Sequence, residues 1–96
     1  MALTERFEND KIEVVGQYKA VQVRKATIIE RDGVEVSRSF HRHALMCGSL
    51  DASDNLVDTD ISGEDPDVQA ICIAAWQAPV KAAYTAHLIA TKPAAE

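Results

Sequence analysis

The chain has 96 residues, 15 acidic against 10 basic, a formal charge of −5 and two Phe, two Tyr and one Trp. A domain of this size buries about 60 to 65% of the surface that its unfolded chain exposes, so its core is expected to be thin, and with so few aromatics a large enclosed substrate pocket is not expected. The acidic balance argues against general affinity for nucleic acid. The absence of a basic leader or a long apolar run argues against secretion and membrane insertion.

The first β-type run is Lys11 to Val15, punctuated by Gly16. Two longer runs, Tyr18 to Glu30 and Val34 to Met46, flank Asp32-Gly33. Asp-Gly between β-type runs is a strong hairpin signal, because both central residues of a type I′ turn need positive φ. With a two-residue loop, Val21, Val23, Ile29, Val36, Phe40, Ala44 and Met46 share one face. The other face then carries Arg24, Ala26, Ile28, Ser37, Ser39, His41 and His43, and Glu30 opposes Glu35. A three-residue loop with a bulge at Gly33 removes that opposition and re-pairs the faces. The two-residue loop collects more apolar groups on one side, and the far end of the hairpin is expected to project from the core.

Cys47 to Asp65 is a long acidic connection, with Leu50, Leu56, Val57 and Ile61 available to pin it down. A helix is expected from Pro66, with Asp65 as N-cap and a competing start at Ser62. A 3.6-residue wheel places Val68, Ile71, Cys72, Ala75, Trp76, Pro79, Ala83, Ala86 and Ala90 on one stripe, which should pack on the sheet. Pro79 lies inside that pattern and predicts a kink or break between Gln77 and Val80. Ile73, Val80, Tyr84 and Leu88 fall outside the stripe and form a second apolar strip, open as either a wider core face or a subunit contact. The expected architecture is therefore one α+β domain over residues 1–90. It has an antiparallel hairpin or three-stranded sheet, an acidic loop, a C-terminal helix kinked or broken near Pro79, and a frayed tail at 91–96.

Chemistry-bearing patterns are sparse. His41 and His43 share a strand face with Cys47 four residues on, a start for a tetrahedral zinc site, but no second His/Cys pair follows. Asp58, Asp60 and Ser62 with Gly63 match the opening of a calcium loop, which then fails because Gln69 stands where a bidentate carboxylate is needed. Cys47 and Cys72 are expected to be free thiols. The isolated glycines form no phosphate cradle or nucleophile elbow. No catalytic residue, metal or cofactor is therefore assigned.

The segments Asp10 to Gly16, Val21 to Arg24, Ala26 to Ile29, Asp32-Gly33, Phe40 to His43, Ile61 to Glu64 and Val68 to Ile71 carry a resemblance spanning nearly the whole chain. It resembles a group of short, chiefly uncharacterised proteins of tailed bacteriophages, especially phages of marine bacteria. The stretch Cys47 to Thr59 is longer than in that group. The resemblance implies a structural component of the virion or tail region, assembled in the host cytoplasm, and carries no site residues with it. On this reading the protein is a non-enzymatic assembly protein whose partners are itself or other virion proteins. Membrane, nucleic acid and small-molecule substrate are not among them. Its expected contacts are Ile73, Val80, Tyr84 and Leu88 on the helix and Arg24, Arg38 and Arg42 on the basic ribbon, since basic and acidic residues segregate along the chain. Two alternatives stay open: a small metal-binding protein or metal-dependent enzyme using His41, His43 and Cys47, and a host-directed regulator that binds a protein through the acidic loop.

Overall fold

A computed structural model describes residues 2–92. The chain is α+β. Strands β1 (Leu3–Val15), β2 (Ala20–Arg31) and β3 (Val34–Leu45) form an antiparallel sheet in that order, with β2 in the centre. A small hairpin follows, β4 (Gly48–Leu50) with β5 (Leu56–Asp58), and then helices α1 (Pro66–Ala75) and α2 (Ala78–Ala90).

The radius of gyration is 17.9 Å and the extents are 62 × 31 × 22 Å. A compact chain of this length would have a radius of about 12.5 Å. Strand length accounts for the difference: the sheet's three strands hold 12 or 13 residues each, and the helices cover only the end near Val21, Val23 and Leu45. The remainder is a three-stranded arm that runs on past the body by about 20 Å at 3.4 Å per residue.

Both turns of the sheet use positive φ. Gly16 (φ 79°) and Lys19 (φ 54°) turn β1 into β2, and Asp32 (φ 52°) with Gly33 (φ 83°) forms the two-residue tip between β2 and β3. At the tip Arg31 pairs with Val34 and Glu30 with Glu35, as the two-residue loop requires. The faces nevertheless differ from the sequence expectation. Ile29 pairs with Ser37, so Val36 is a bulged extra residue and every later β3 side chain changes sides. Phe40 and Ala44 therefore lie opposite Ala26 and Gln22, away from the helices, while His41 and His43 fall on the face of Val21 and Val23. The Glu30/Glu35 opposition is relieved by Arg6, 3.2 Å from Glu30, and Arg38, 2.8 Å from Glu35.

The core gathers Val21 and Val23 of β2, Cys47, Val68 and Cys72 of α1, and Trp76, with Ile12, Leu45, Leu56, Ile61, Ile71, Ala75 and Tyr84 packed around them. Trp76 also donates its indole N–H to the Lys19 carbonyl at 2.8 Å, tying the end of α1 to the β1–β2 turn at the body end of the sheet. Gly48 is fully enclosed because β5 passes so close: a Cβ there would lie 2.5 Å from the Val57 carbonyl oxygen.

Trp76 and Gln77 separate the helices, and Pro79 sits in the first turn of α2, where its missing N–H costs nothing. The interruption ends the single stripe of the helical wheel. Val68, Ile71, Cys72, Ala75 and Trp76 meet the core as expected, but Pro79, Ala83, Ala86 and Ala90 are exposed. Val80, Tyr84 and Leu88 take their place as half-buried residues of α2. Of the 91–96 tail, Thr91 and Lys92 are held by backbone bonds to His87 and Ile89 and by a 2.7 Å contact of Lys92 with Asp54; residues 93–96 lie outside those described.

Candidate functional site

The arm is where this chain departs most from the minimum needed to build its core. Its two faces differ in chemistry. On the face away from the helices, β2 contributes Arg24, Ala26, Ile28 and Glu30, and both Ala26 and Ile28 are 0% exposed although no helix covers them. Charged side chains cover them instead. Arg38 of β3 donates to Glu35 at 2.8 and 3.1 Å and reaches across β2 to Glu8 of β1 at 3.2 Å. Arg6 reaches Glu30, and Arg24 makes a two-pronged pair with Asp10 at 2.8 and 3.0 Å. Long arginine stems thus lie over the two apolar side chains while their guanidinium groups pair at the rim.

Asp10 is able to do this because it is the bulged residue of β1: Asn9 pairs with Lys25 and Lys11 with Arg24, leaving Asp10 without an opposite partner. The hydrogen bonds from Arg24 hold its carboxyl below the usual carboxylate range. Those from Arg38 do the same for Glu35, and Glu35 in turn raises the Arg38 guanidinium. Beside this network, Lys11, Arg24 and Arg42 form one rung across the three strands and line a shallow groove of about 420 Å³ with Glu13, Gln22 and His43. Asp10 neutralises Arg24, and Glu13 lies 3.4 Å from Lys11. Arg42 has no ion pair among the described residues; its guanidinium sits 5.8 Å from the Phe40 ring centroid, with that of Arg24 closer, at 4.5 Å.

The opposite face is covered by the helices only near the body. At the arm root, Asn9 donates to Asp65 at 2.9 Å and to Asp67 at 3.0 Å, Lys25 meets Asp65 at 3.2 Å, and His43 Nε2 lies 2.8 Å from Glu64. Asp65 begins α1 by backbone conformation without a side-chain cap; its carboxylate serves the arm instead, and the bonds from Asn9 and Lys25 lower its pKa. Beyond this clasp the same face carries Phe7, level with Thr27, and Leu3, level with Arg31 and Val34. Leu3 is 61%, Phe7 58% and Val34 65% exposed.

The residues singled out from the sequence do not come together in one place. His41 and His43 line a cleft of about 310 Å³ with Asn9, Lys25, Glu64 and Asp65, whereas Cys47 is wholly buried and shares a different cavity with Cys72. Burial raises both thiols, which are free, and this suppresses the thiolate needed for metal binding or nucleophilic attack. No group of three or more potential metal ligands occurs among the described residues. The calcium-like turn is closed by its own backbone, with Ser62 N–H bonded to Asp60 at 2.9 Å and Asp58 paired with Lys81 at 3.1 Å. Ile73 is exposed on α1, but Tyr84 packs against the core and lies 5.5 Å from the Tyr18 ring, so the four apolar helix residues do not make one outward strip. Arg24 and Arg38 are engaged within the sheet.

Sequence reasoning missed the N-terminal half of β1, from Leu3 to Asp10, and with it Phe7, Glu8 and Asp10. A signal was present: Arg6, Glu8 and Asp10 recur with period two while Leu3 and Phe7 occupy the alternate register. Searches of protein-family models, curated proteins and solved structures each returned no match.

Proposed function

We propose that this chain is a non-enzymatic structural or assembly protein of a phage particle, acting through contacts with itself or with other virion proteins along the projecting arm. One observation carries the proposal: an arm of three long strands extends beyond the helix-covered body and leaves Leu3, Phe7 and Val34 more than half exposed on one face. Apolar surface in water costs about 25 cal/mol per Å², and two- and three-stranded ribbons gain stability when a further layer covers them. Ion pairs cross the other face of the arm, and a surface ordered before docking loses less entropy on binding. The resemblance to short tailed-phage proteins supports the virion as the setting.

Sedimentation velocity over a wide concentration range, on the parent chain and on Phe7→Asp, tests the reading. Concentration-dependent association that Phe7→Asp abolishes, with the melting temperature kept within a few degrees, is the expected outcome. Association that persists unchanged in the variant would remove the arm from the contact and overturn the proposal.

A further inference from the structure

The sheet face that no helix covers carries, at the arm root, the groove of about 420 Å³ over Lys11, Arg24 and Arg42. The register sets these three cations directly opposite one another, Lys11 against Arg24 and Arg24 against Arg42. Adjacent strands lie about 4.8 Å apart, and directly opposed like charges destabilise a sheet. An acidic chain with only 10 basic residues thus places three of them on one unfavourable rung. Two are compensated from within the chain: Arg24 donates from Nε and Nη2 to Asp10, and Lys11 lies 3.4 Å from Glu13. Arg42 is not. It is exposed, and among the described residues its guanidinium has neither an ion pair nor a hydrogen bond, only the Phe40 ring at 5.8 Å. Nη1 of Arg24 likewise donates to nothing among the described residues.

We propose that this groove seats one carboxylate, presented on an extended segment of a partner protein, between the Arg42 guanidinium and the free side of Arg24. Three cations face two carboxylates, so one positive charge is left over and a single negative charge completes the rung. A guanidinium fork matches the two oxygens of a carboxylate. Both guanidinium groups lie against one aromatic ring, Phe40, at 4.5 and 5.8 Å, which limits the room in which they move. The groove is shallow, with Gln22, Val23 and Ala44 as its uncharged lining. It cannot enclose a free metabolite, but an extended chain can pass over it. A phosphate monoester would bring its second charge against Glu13, and a longer polyanion such as nucleic acid meets a chain of net charge −5. Leu3, Phe7 and Val34 lie on the opposite face, so a partner seated here does not compete with a contact on the apolar side of the arm.

Backbone amide shifts of the labelled, dilute protein, titrated with a blocked alanine peptide bearing one central glutamate, test this. Saturable shifts centred on Lys11, Arg24 and Arg42 are expected, and the same peptide with glutamine should bind about tenfold more weakly or not at all. Arg42→Gln should weaken binding about tenfold through loss of one charge-assisted pair. Glu13→Gln should tighten it about two- to fivefold by removing a like charge from the groove. Arg31→Gln, at the arm tip, should leave it unchanged, and all three exposed substitutions should leave the melting curve where it was. Shifts that do not saturate, a glutamine peptide that binds equally well, or equal losses from Arg42→Gln and Arg31→Gln would each overturn the site. Inorganic phosphate or a short single-stranded oligonucleotide that binds the same amides more tightly at matched ionic strength would overturn the carboxylate as ligand. The titration does not depend on self-association, so its failure leaves the Phe7→Asp result standing, and the reverse holds.

Discussion

Ile28→Ala is the sharpest probe of the unusual half of this fold. Ile28 is 0% exposed, yet it stands on the sheet face that no helix covers, level with Arg38 on β3 and Arg6 on β1. Replacement by alanine removes three carbons, worth about 2.4 kcal/mol at roughly 0.8 kcal/mol per buried methylene. A cavity contribution adds to this, but the arginine stems above are flexible and can settle into the space, so the total should be about 3 kcal/mol, toward the low end of the range for such truncations. That is a large share of the stability of a chain this small. Urea unfolding followed by circular dichroism reads it as a lower midpoint with an unchanged slope. A loss below about 1 kcal/mol would mean that Ile28 is solvated in solution and that the ion pairs do not close over it.

Gly48→Ala should cost about 1 to 3 kcal/mol, because its new methyl would meet the Val57 carbonyl and the β4–β5 pair must part; an unchanged midpoint would contradict that approach. Gly33→Val should destabilise the tip by about 1 to 2 kcal/mol, since φ is +83° there, and an unaltered melting temperature would refute the two-residue turn. Asp10, Glu35, Asp60 and Asp65 all have folded pKa values below their unfolded ones, set chiefly by Arg24, Arg38, Ser62 and Asn9 respectively. Their contribution is fully present above the unfolded carboxylate range and is lost as pH falls through the folded values, so the urea midpoint should hold from pH 7 to about 5 and decline below about 4. A midpoint flat down to pH 2.5 would show that these carboxylates are no better placed than in the unfolded chain.

The hairpin, its two-residue tip and the proline-opened helical region were legible because each rests on a local rule: turn chemistry at Asp32-Gly33, and the tolerance of a helix start for Pro66. The faces of β3 were not, because the bulge at Val36 answers to a tertiary need. It places Phe40 under Arg24 and brings Arg38 over Ile28, and nothing local at Val36 announces it. β1 was read eight residues too short for a related reason. Arg6, Glu8, Asn9 and Asp10 are poor strand formers in isolation and are held in the sheet by Glu30, Arg38, Asp65 and Arg24 respectively. The helix wheel failed at the Trp76–Gln77 interruption, where two missing helical residues rotate α2 and turn Val80, Tyr84 and Leu88 toward the body. The candidate contact surface consequently lies on the arm, in residues whose apolar character was visible but whose strand was not.

The central claim is that the arm is the surface other subunits meet, and hydrogen exchange of the backbone amides at low and high protein concentration tests it most directly. The account predicts that at high concentration the amides of Leu3–Asn9 and Val34–Phe40 gain protection while those of α1 and α2 exchange as they do when dilute. Protection gained on the helices and not on the arm would contradict it.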